Sequence, residues 1–529
     1  MHIDVLPDEI LSLIIGRAER PARPTRGLWE TARPVLSVCR RWRCVALPIV
    51  YRDLNFWCEE GADADSAPGA SCVLTTNAGL VASMGVAHLV RSVCMTMFYS
   101  VNPAACIEQA LSRMQSAAAG RTWAGVRKLD LFIHPVADDV LADSFTTADL
   151  ARSFAALMPG IVDVCLDDHV SDGFTLSMYR SLVGAYAHQL RRLETSYIWG
   201  ANAQSLGRPT HLEIRFDQIH CQVMPSVALD GLVSLRLEGV SSYRVWSLLA
   251  GSTAQKVVFS SLENLHVLYA PDHFALSDST ASLPALRLEF PRLCNLAIHN
   301  AHEYCPVIAA ATLPPAMAEV SIGCTAAAFC KFAARVPPQC RAMRLSVDCE
   351  DDTDFPRLFS LLCRTLARAQ WVLGVRVFAV TDRLVPECEL LEWPPFTKIT
   401  IVQSATRANI TTIVRRLPHL VELVVCGLEC GPADTHTALP PRRALKILAL
   451  HFNPSGFTTD GALAFLLHCA QCMPSLELVR VLQLHSARVA QLVRDHAQAH
   501  PHLASVQFDC LDRQIAGQGR PLVRMLNSS

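Results

Sequence analysis

The chain has 529 residues, 51% apolar and 18% charged, a balance that excludes a disordered polypeptide and calls for a large buried core. Lysine and arginine number 47 against 48 acids, a net charge of −1, so the chain as a whole offers no basic field to nucleic acid or anionic lipid. The 21 cysteines are odd in number and mostly embedded in apolar runs, which reads as reduced packing residues of an intracellular protein rather than a disulfide framework. Met1-His2-Ile3-Asp4 has an acid where an export signal would have a base. The best membrane candidate, residues 306–336, is broken by Pro314, Pro315, Glu319 and Lys331 well short of the roughly 20 apolar residues a span needs. A cytoplasmic or nuclear location, or both, is the expectation.

In chain order, the first predicted element is a helix over Leu6-Pro7-Asp8-Glu9-Ile10-Leu11-Ser12-Leu13-Ile14-Ile15. Proline is tolerated in a helix's first turn, acids suit its positive end, and a broad apolar face follows. An Arg- and Pro-rich connector leads to a second helix from Pro34 to Arg43, with Leu36, Cys39 and Arg43 at helical spacing beside Val35 and Trp42. Ala46 to Leu54 forms a third apolar piece, Pro48 being expected to end helix two and let a new turn start. Three such helices make a core too small for comfort, so their apolar surface calls for a partner or a neighbouring domain. Residues 1–52 also hold nine arginines against five acids, a local charge of +4 that an acidic partner surface would match.

These residues resemble an F-box, whose pattern is a Leu-Pro-x-Glu-(Ile/Leu)-(Leu/Ile) helix followed by a Val-x-Arg-x-Trp-like element. Leu6 to Leu11 and Val38 to Arg43 carry the match. Val38-Cys39-Arg40-Arg41-Trp42 with Ala46-Leu47-Pro48-Ile49-Val50-Tyr51-Arg52-Asp53-Leu54 is similar to the fungal-type version. The connector Gly16 to Arg33 is longer and richer in proline than the family's short turn. The resemblance covers about a tenth of the chain and implies a small three-helix domain over residues 1–55. It further implies helix-in-groove docking on a Skp-type adaptor, with Leu6, Pro7, Ile10, Leu11, Ile14, Leu36, Val38, Cys39 and Trp42 as adaptor-binding candidates. The alternative is that the helices only cap whatever follows.

After the acidic, small-residue stretch Glu59 to Gly69, within a linker and capping region over residues 56–88, a six-residue strand pattern recurs: apolar, two free, apolar, one free, apolar. Its first copies are Val126/Leu129/Leu131, Ile161/Val164/Leu166, Leu190/Leu193/Thr195, the poor copy Pro209/Leu212/Ile214, and Leu232/Leu235/Leu237. Leu262/Leu265/Val267, Leu293/Leu296/Ile298, Met317/Val320/Ile322, Cys340/Met343/Leu345 and Val372/Val375/Val377 follow. The last are Phe396/Ile399/Ile401, Leu420/Leu423/Val425, Leu445/Leu448/Leu450, Leu476/Val479/Val481 and Leu503/Val506/Phe508. The mean step is about 27 residues, within the span of leucine-rich repeats. Amphipathic stretches such as 354–363 and 463–469 predict a helix between strands. Pro159, Pro291, Pro418, Pro474 and Pro501 each stand ahead of a strand, where proline ends the preceding helix.

Residues 89–512 therefore resemble an irregular leucine-rich-repeat array, ahead of a tail over 513–529. The implied fold is α/β: a horseshoe solenoid with parallel strands on the concave face and helices outside, preceded by the F-box. The family's bridging asparagine, eight residues after the first apolar position, occurs only at Asn453, with His134, His169, Thr325, Asp348 and Ser404 as partial substitutes. A doubly wound α/β enzyme is the competing architecture, but fifteen strand units exceed the usual open sheet.

Motifs for chemistry are scarce: no phosphate loop, no Gly-x-Gly-x-x-Gly and no Gly-x-Ser-x-Gly stand in the sequence. Cys469 and Cys472 with His496 and His500 have the ligand types for zinc, yet 23 residues separate the pairs and helical spacing explains each, so no metal or cofactor is expected. The acidic run Asp348 to Asp354 is a solvated loop ahead of a helix. The expected function is non-enzymatic. The F-box would bind the adaptor and through it a cullin, and the repeats would hold a target protein, in a substrate-recognition role within a ubiquitin ligase. A repeat scaffold unconnected to ubiquitin is the alternative.

Overall fold

The computed structural model describes residues 39–60, 72–97, 103–133, 144–168, 173–195, 209–215, 231–240, 256–269, 287–301, most of 305–348, 371–377, 398–401, 405–429, 444–452, 473–482, 507–511 and a few isolated helical positions. The chain is α/β and divides into two compact units, Met1–Val240 with Ser247–Thr253, and Ser241–Trp246 with Ala254–Ser529.

In the first unit, helix α1 (Arg40–Val50) leads into strands β1 (Asp53–Glu60) and β2 (Cys72–Thr76). Helix α2 (Ala78–Ser83), β3 (Ser92–Met97), α3 (Pro103–Ala117), β4 (Lys128–Ile133), α4 (Ser144–Leu157), β5 (Asp163–Asp168), α5 (Gly173–Tyr186), β6 (Arg192–Thr195), β7 (His211–Arg215) and β8 (Ser234–Val240) follow. The sheet order is β2-β1-β3-β4-β5-β6-β7-β8; only β1–β2 is antiparallel. Helices α2 to α5 pack in sequence, each beside the next. Their apolar faces (Ile107, Leu111, Met114, Leu150, Phe154, Tyr179, Leu182) are fully buried, as are the strand residues Leu129, Leu131, Val164, Leu166, Leu193 and Leu235. Each buried Leu or Phe of that kind stabilises by roughly 1.5–3 kcal/mol, so this layer is the unit's core.

The repeat pattern and the register agree. Val93, Leu129, Val164, Leu193, Leu212 and Leu235 are successive cross-strand partners, and so are Met95, Leu131, Leu166, Thr195, Ile214 and Leu237. A one-residue slip would turn every leucine outward, so the apolar pattern itself holds the phase. Two further copies precede those legible in the sequence: Tyr51/Leu54/Phe56 and Val90/Val93/Met95 are buried in the same pattern. The first lies across the boundary drawn at residue 55, and the region read as linker and cap (56–88) carries most of β1, all of β2 and α2. Pro48 does not end a helix either. Helix α1 runs through it to Val50, because a proline near a helix's C-terminus forfeits one hydrogen bond while Tyr51 N–H still donates to Leu47 O at 3.0 Å.

The second unit contains β9 (Lys256–Val258), β10 (Asn264–Tyr269), β11 (Arg287–Glu289), β12 (Asn295–Ala301), β13 (Ala311–Thr312), β14 (Ala316–Thr325), α6 (Ala326–Ala333), β15 (Gln339–Asp348), β16 (Trp371–Val377), β17 (Lys398–Ile401), β18 (Ala405–Thr406), α7 (Arg407–Arg416), β19 (Glu422–Glu429), β20 (Ile447–Phe452), β21 (Leu478–Leu482) and β22 (Gln507–Leu511). Its main sheet is parallel, in the order β10-β12-β14-β15-β16-β17-β19-β20-β21-β22, with β18 also on β19. Here the rule of one strand and one helix per unit breaks. Short strands β9, β11 and β13 form a separate parallel sheet. Val257-Val258-Phe259 is a β-branched and aromatic run suited to a strand, Leu288-Glu289-Phe290 buries Leu288 and Phe290, and the two phenylalanine rings stack at 5.0 Å. Of the predicted helices over 354–363 and 463–469, only Leu361, Phe465, His468 and Cys469 are described, and all four are helical.

Proline acts through a defined turn. Pro159, Pro291, Pro418 and Pro474 each lie four residues ahead of a strand's first residue. In the last three copies the amide of Leu293, Leu420 or Leu476 donates back to the residue before the proline, placing proline second in a tight turn where its fixed φ fits. Pro501 and Asn453 lie outside the described residues. At the start of the strands the main chain links successive copies through one shared carbonyl. Arg91 O accepts from Arg127 and Lys128 N–H at 2.7 and 3.2 Å, Arg127 O from Val162 and Asp163, and Val162 O from Arg191 and Arg192, with the same device at Lys446 O. Thr325 is used otherwise, its Oγ1 accepting from Ala328 N–H at the start of α6. Cys58, against the expectation of reduced thiols, is disulfide-bonded; Cys106, whose Sγ lies 2.9 Å from that of Cys58, is not its partner but a buried free thiol.

Candidate functional site

Strand alternation leaves every second residue of β4 to β8 on the sheet face opposite the leucines. Register aligns these residues in lateral rows. One row runs Lys128, Asp163, Arg192, His211, Ser234; the next runs Asp130, Cys165, Glu194, Glu213, Arg236; Arg215 and Glu238 lie side by side in a third. The result is a continuous ion-pair grid. Lys128 Nζ donates to Asp130 at 2.8 Å. Arg192 lies 4.0 Å from Asp163, 3.7 Å from Glu194 and 3.5 Å from Glu213. Arg215 contacts Glu194, Glu213 at 3.3 Å and Glu238 at 3.6 Å, and Arg236 contacts Glu238 and, at 3.5 Å, Glu213.

The two signs sit at different depths. The four cationic side chains are 36–49% exposed and the five carboxylates only 10–27%. Long arginine stems reach past short acids, so the layer that meets solvent is guanidinium and ammonium over a floor of carboxylate. Burial raises the pKa of Asp130, with the Lys128 hydrogen bond and charge opposing it, and burial raises that of Asp163 against the pull of Arg192. Lys128 is raised: burial, the largest single effect, would lower it, and its hydrogen bond to Asp130 together with the charges of Asp130, Cys165 and Asp163 outweighs burial. Cys94, the partner of Asp130 on β3, is pushed up to about 11 by burial and then by the Asp130 charge, so it stays a thiol at neutral pH.

Half-exposed ion pairs contribute about 0–1 kcal/mol each, which is too little to make the grid a stability device. What it offers chemically is a set of directed N–H donors positioned by the sheet register. Among the described residues of the second unit, Asn295 Nδ2 donates to Asn264 Oδ1 at 2.7 Å, the His266 and His299 rings stand edge-on at 5.4 Å, Arg344 lies 3.4 Å from Glu319, and Lys398 lies 2.7 Å from Glu422. Burial lowers the pKa of His299. Among the described residues no three His, Cys, Asp or Glu side chains converge as a metal site, and no helix is long and apolar enough to cross a membrane. Cys469 is buried; Cys472, His496 and His500 lie outside the described residues.

Of the adaptor-binding candidates, Leu6, Pro7, Ile10, Leu11, Ile14, Leu36 and Val38 lie outside the described residues. Cys39 is the N-cap of α1, its Sγ accepting from Trp42 N–H at 3.4 Å, and Trp42 packs on the buried Ala46 with its own Nε1 buried and unpaired. The charged grid is not legible in the sequence itself, because its residues stand between and beside the apolar positions that define the repeat. Stacking the repeats on their leucines would have found it, since its members fill the free positions of five consecutive copies, with Arg215 and Glu238 one residue beyond two of them. No protein-family model matches the chain, and no curated protein is similar to it.

Proposed function

We propose that the chain is a non-catalytic binding protein, a leucine-rich-repeat horseshoe whose open sheet face holds a target protein. Its N-terminal helices form an F-box that docks on a Skp-type adaptor and through it a cullin, making the chain the target-recognition subunit of a ubiquitin ligase. The observation that carries the binding face is the common register of β3 to β8, which turns scattered polar residues into one ordered grid. The ligase connection rests on Leu6 to Leu11 and Val38 to Arg43. Such a subunit acts by effective concentration, tethering the target where ubiquitin transfer becomes nearly intramolecular.

One observation favours the scaffold reading. Only Tyr51 and Arg52 separate α1 from β1, and Tyr51 fills the first apolar position of the first repeat, as a solenoid cap would. Co-purification of the full chain with a Skp-type adaptor separates the two. The ligase reading expects a stable complex that is lost in Leu11→Arg plus Trp42→Arg while circular dichroism is unchanged. Because Trp42 packs within α1, Leu11→Arg alone serves as the second variant. Failure of the unsubstituted chain to retain the adaptor sinks the ligase reading and leaves the scaffold.

A further inference from the structure

The grid has two open donor edges. Arg192 and Arg236 use Nε and Nη2 on Asp163, Glu194, Glu213 and Glu238, and among the described residues neither Nη1 has a partner. Both side chains are about half exposed, 49% and 47%, and both stand above carboxylates that are 10–27% exposed. A guanidinium already held on one edge by a carboxylate keeps its orientation, so little rotamer freedom is lost when the other edge binds. Arg192 and Arg236 are two strands apart and two residues out of step, about 12 Å between Cα atoms at ordinary strand spacing and rise. In an extended peptide, residues four apart lie on the same side about 13 Å from each other.

We infer that this face takes an acidic, extended protein segment, with two carboxylates four residues apart seated on the free edges of Arg192 and Arg236. The five acids and four cations of the grid sum to −1, so at a Debye length of about 8–10 Å it shows no positive field. A nucleic acid, with charge at every residue, would set its phosphates against the carboxylate floor. Discrete carboxylates spaced to meet the guanidinium edges avoid that repulsion. The inference rests on the binding-protein reading and gives it a target chemistry.

The test uses the full chain and fluorescent peptides of serine and glycine carrying two glutamates four residues apart, the same with three residues between them reduced to one, and the same with lysines, beside a single-stranded RNA of similar length. The four-residue acidic peptide is expected to bind best, and Arg192→Ala plus Arg236→Ala to weaken it by about tenfold or more. Lys446→Ala, in the other unit, is expected to change nothing. The reversal Arg192→Glu plus Arg236→Glu is expected to transfer preference to the lysine peptide, a gain that misfolding cannot imitate. Equal or tighter binding of the lysine peptide or RNA, indifference to the double substitution, or no peptide binding overturns the inference. Cross-linking that places a captured target on β12 to β17 overturns the acidic-segment assignment alone and leaves the binding-protein reading standing; a chain that captures no polypeptide by any face fails both.

Discussion

Asp130 shows how the open face is built at a cost. One of its oxygens accepts from Lys128 at 2.8 Å while the other is buried without a hydrogen bond, and burial raises its pKa above the ordinary 3.8. The sign follows from linkage: between 3.8 and the raised value the native state binds more protons than the unfolded chain, so the group's contribution to stability declines as pH rises through that window. Asp163, shifted the same way by burial, adds to the decline. Asp130→Asn removes the Asp130 share, so its stability relative to the unsubstituted chain is expected to improve as pH rises from 3.8 through the raised value and to level off above it, measured by urea denaturation at each pH. A difference that stays constant or moves the other way contradicts the assignment. A residue that weakens the fold when ionised is one more reason to seek the grid's role in binding rather than in stability.

Among the elements, the junction of β1, β2 and α2 depends on one side chain. The antiparallel pairing of β1 and β2 ends at Phe56 and Thr76, and buried Asn77 then takes the place of a strand: its Nδ2 donates to Asp53 O and its Oδ1 accepts from Asn55 N–H, both at 2.9 Å. Asn77→Ala is expected to destabilise by about 2 kcal/mol, because two main-chain groups lose their partners and water restores only part of them. Asn77→Asp keeps the acceptor for Asn55 but sets a buried carboxylate against Asp53 O, so it is expected to lose at least as much at neutral pH, both read from the midpoint of urea unfolding. The tight turns ahead of β12, β19 and β21 are governed as locally, by proline in second position. The back strands β9, β11 and β13 are not local in this sense: three-residue runs such as Lys256-Val257-Val258 acquire strand character only by pairing with one another.

For the molecule as a whole, parallel neighbours in sequence order predict nearest-neighbour stability. Leu448 is buried on β20, between β19 and β21. Leu448→Ala is expected to cost about 2–5 kcal/mol locally. Hydrogen exchange followed by mass spectrometry should then quicken in β19 to β21 and stay unchanged in β4 to β6. Uniform acceleration throughout would mean one cooperative block instead.

Fifteen strand positions were legible in the sequence because each needs two or three apolar side chains at spacing two and three, a requirement that any single copy displays by itself. The prolines ahead of strands were legible too, but as helix ends; the tight turn in which they stand second was not. Tyr51/Leu54/Phe56 was hidden because its residues also fit the end of a docking helix, and Val90/Val93/Met95 because valine and methionine announce a repeat less clearly than leucine. Lys128, Asp130, Arg192, Glu213 and Arg236 stand 108 positions apart from first to last, and as sequence they are unremarkable free positions. Only register brings them side by side, because charges of half-exposed residues interact over a few ångströms and chain separation says nothing about that distance. The sequence by itself thus determined the period, the buried face and the absence of common catalytic motifs. The tertiary structure decided which polar residues meet, which sign is presented to solvent, and where strands replace helices behind the sheet.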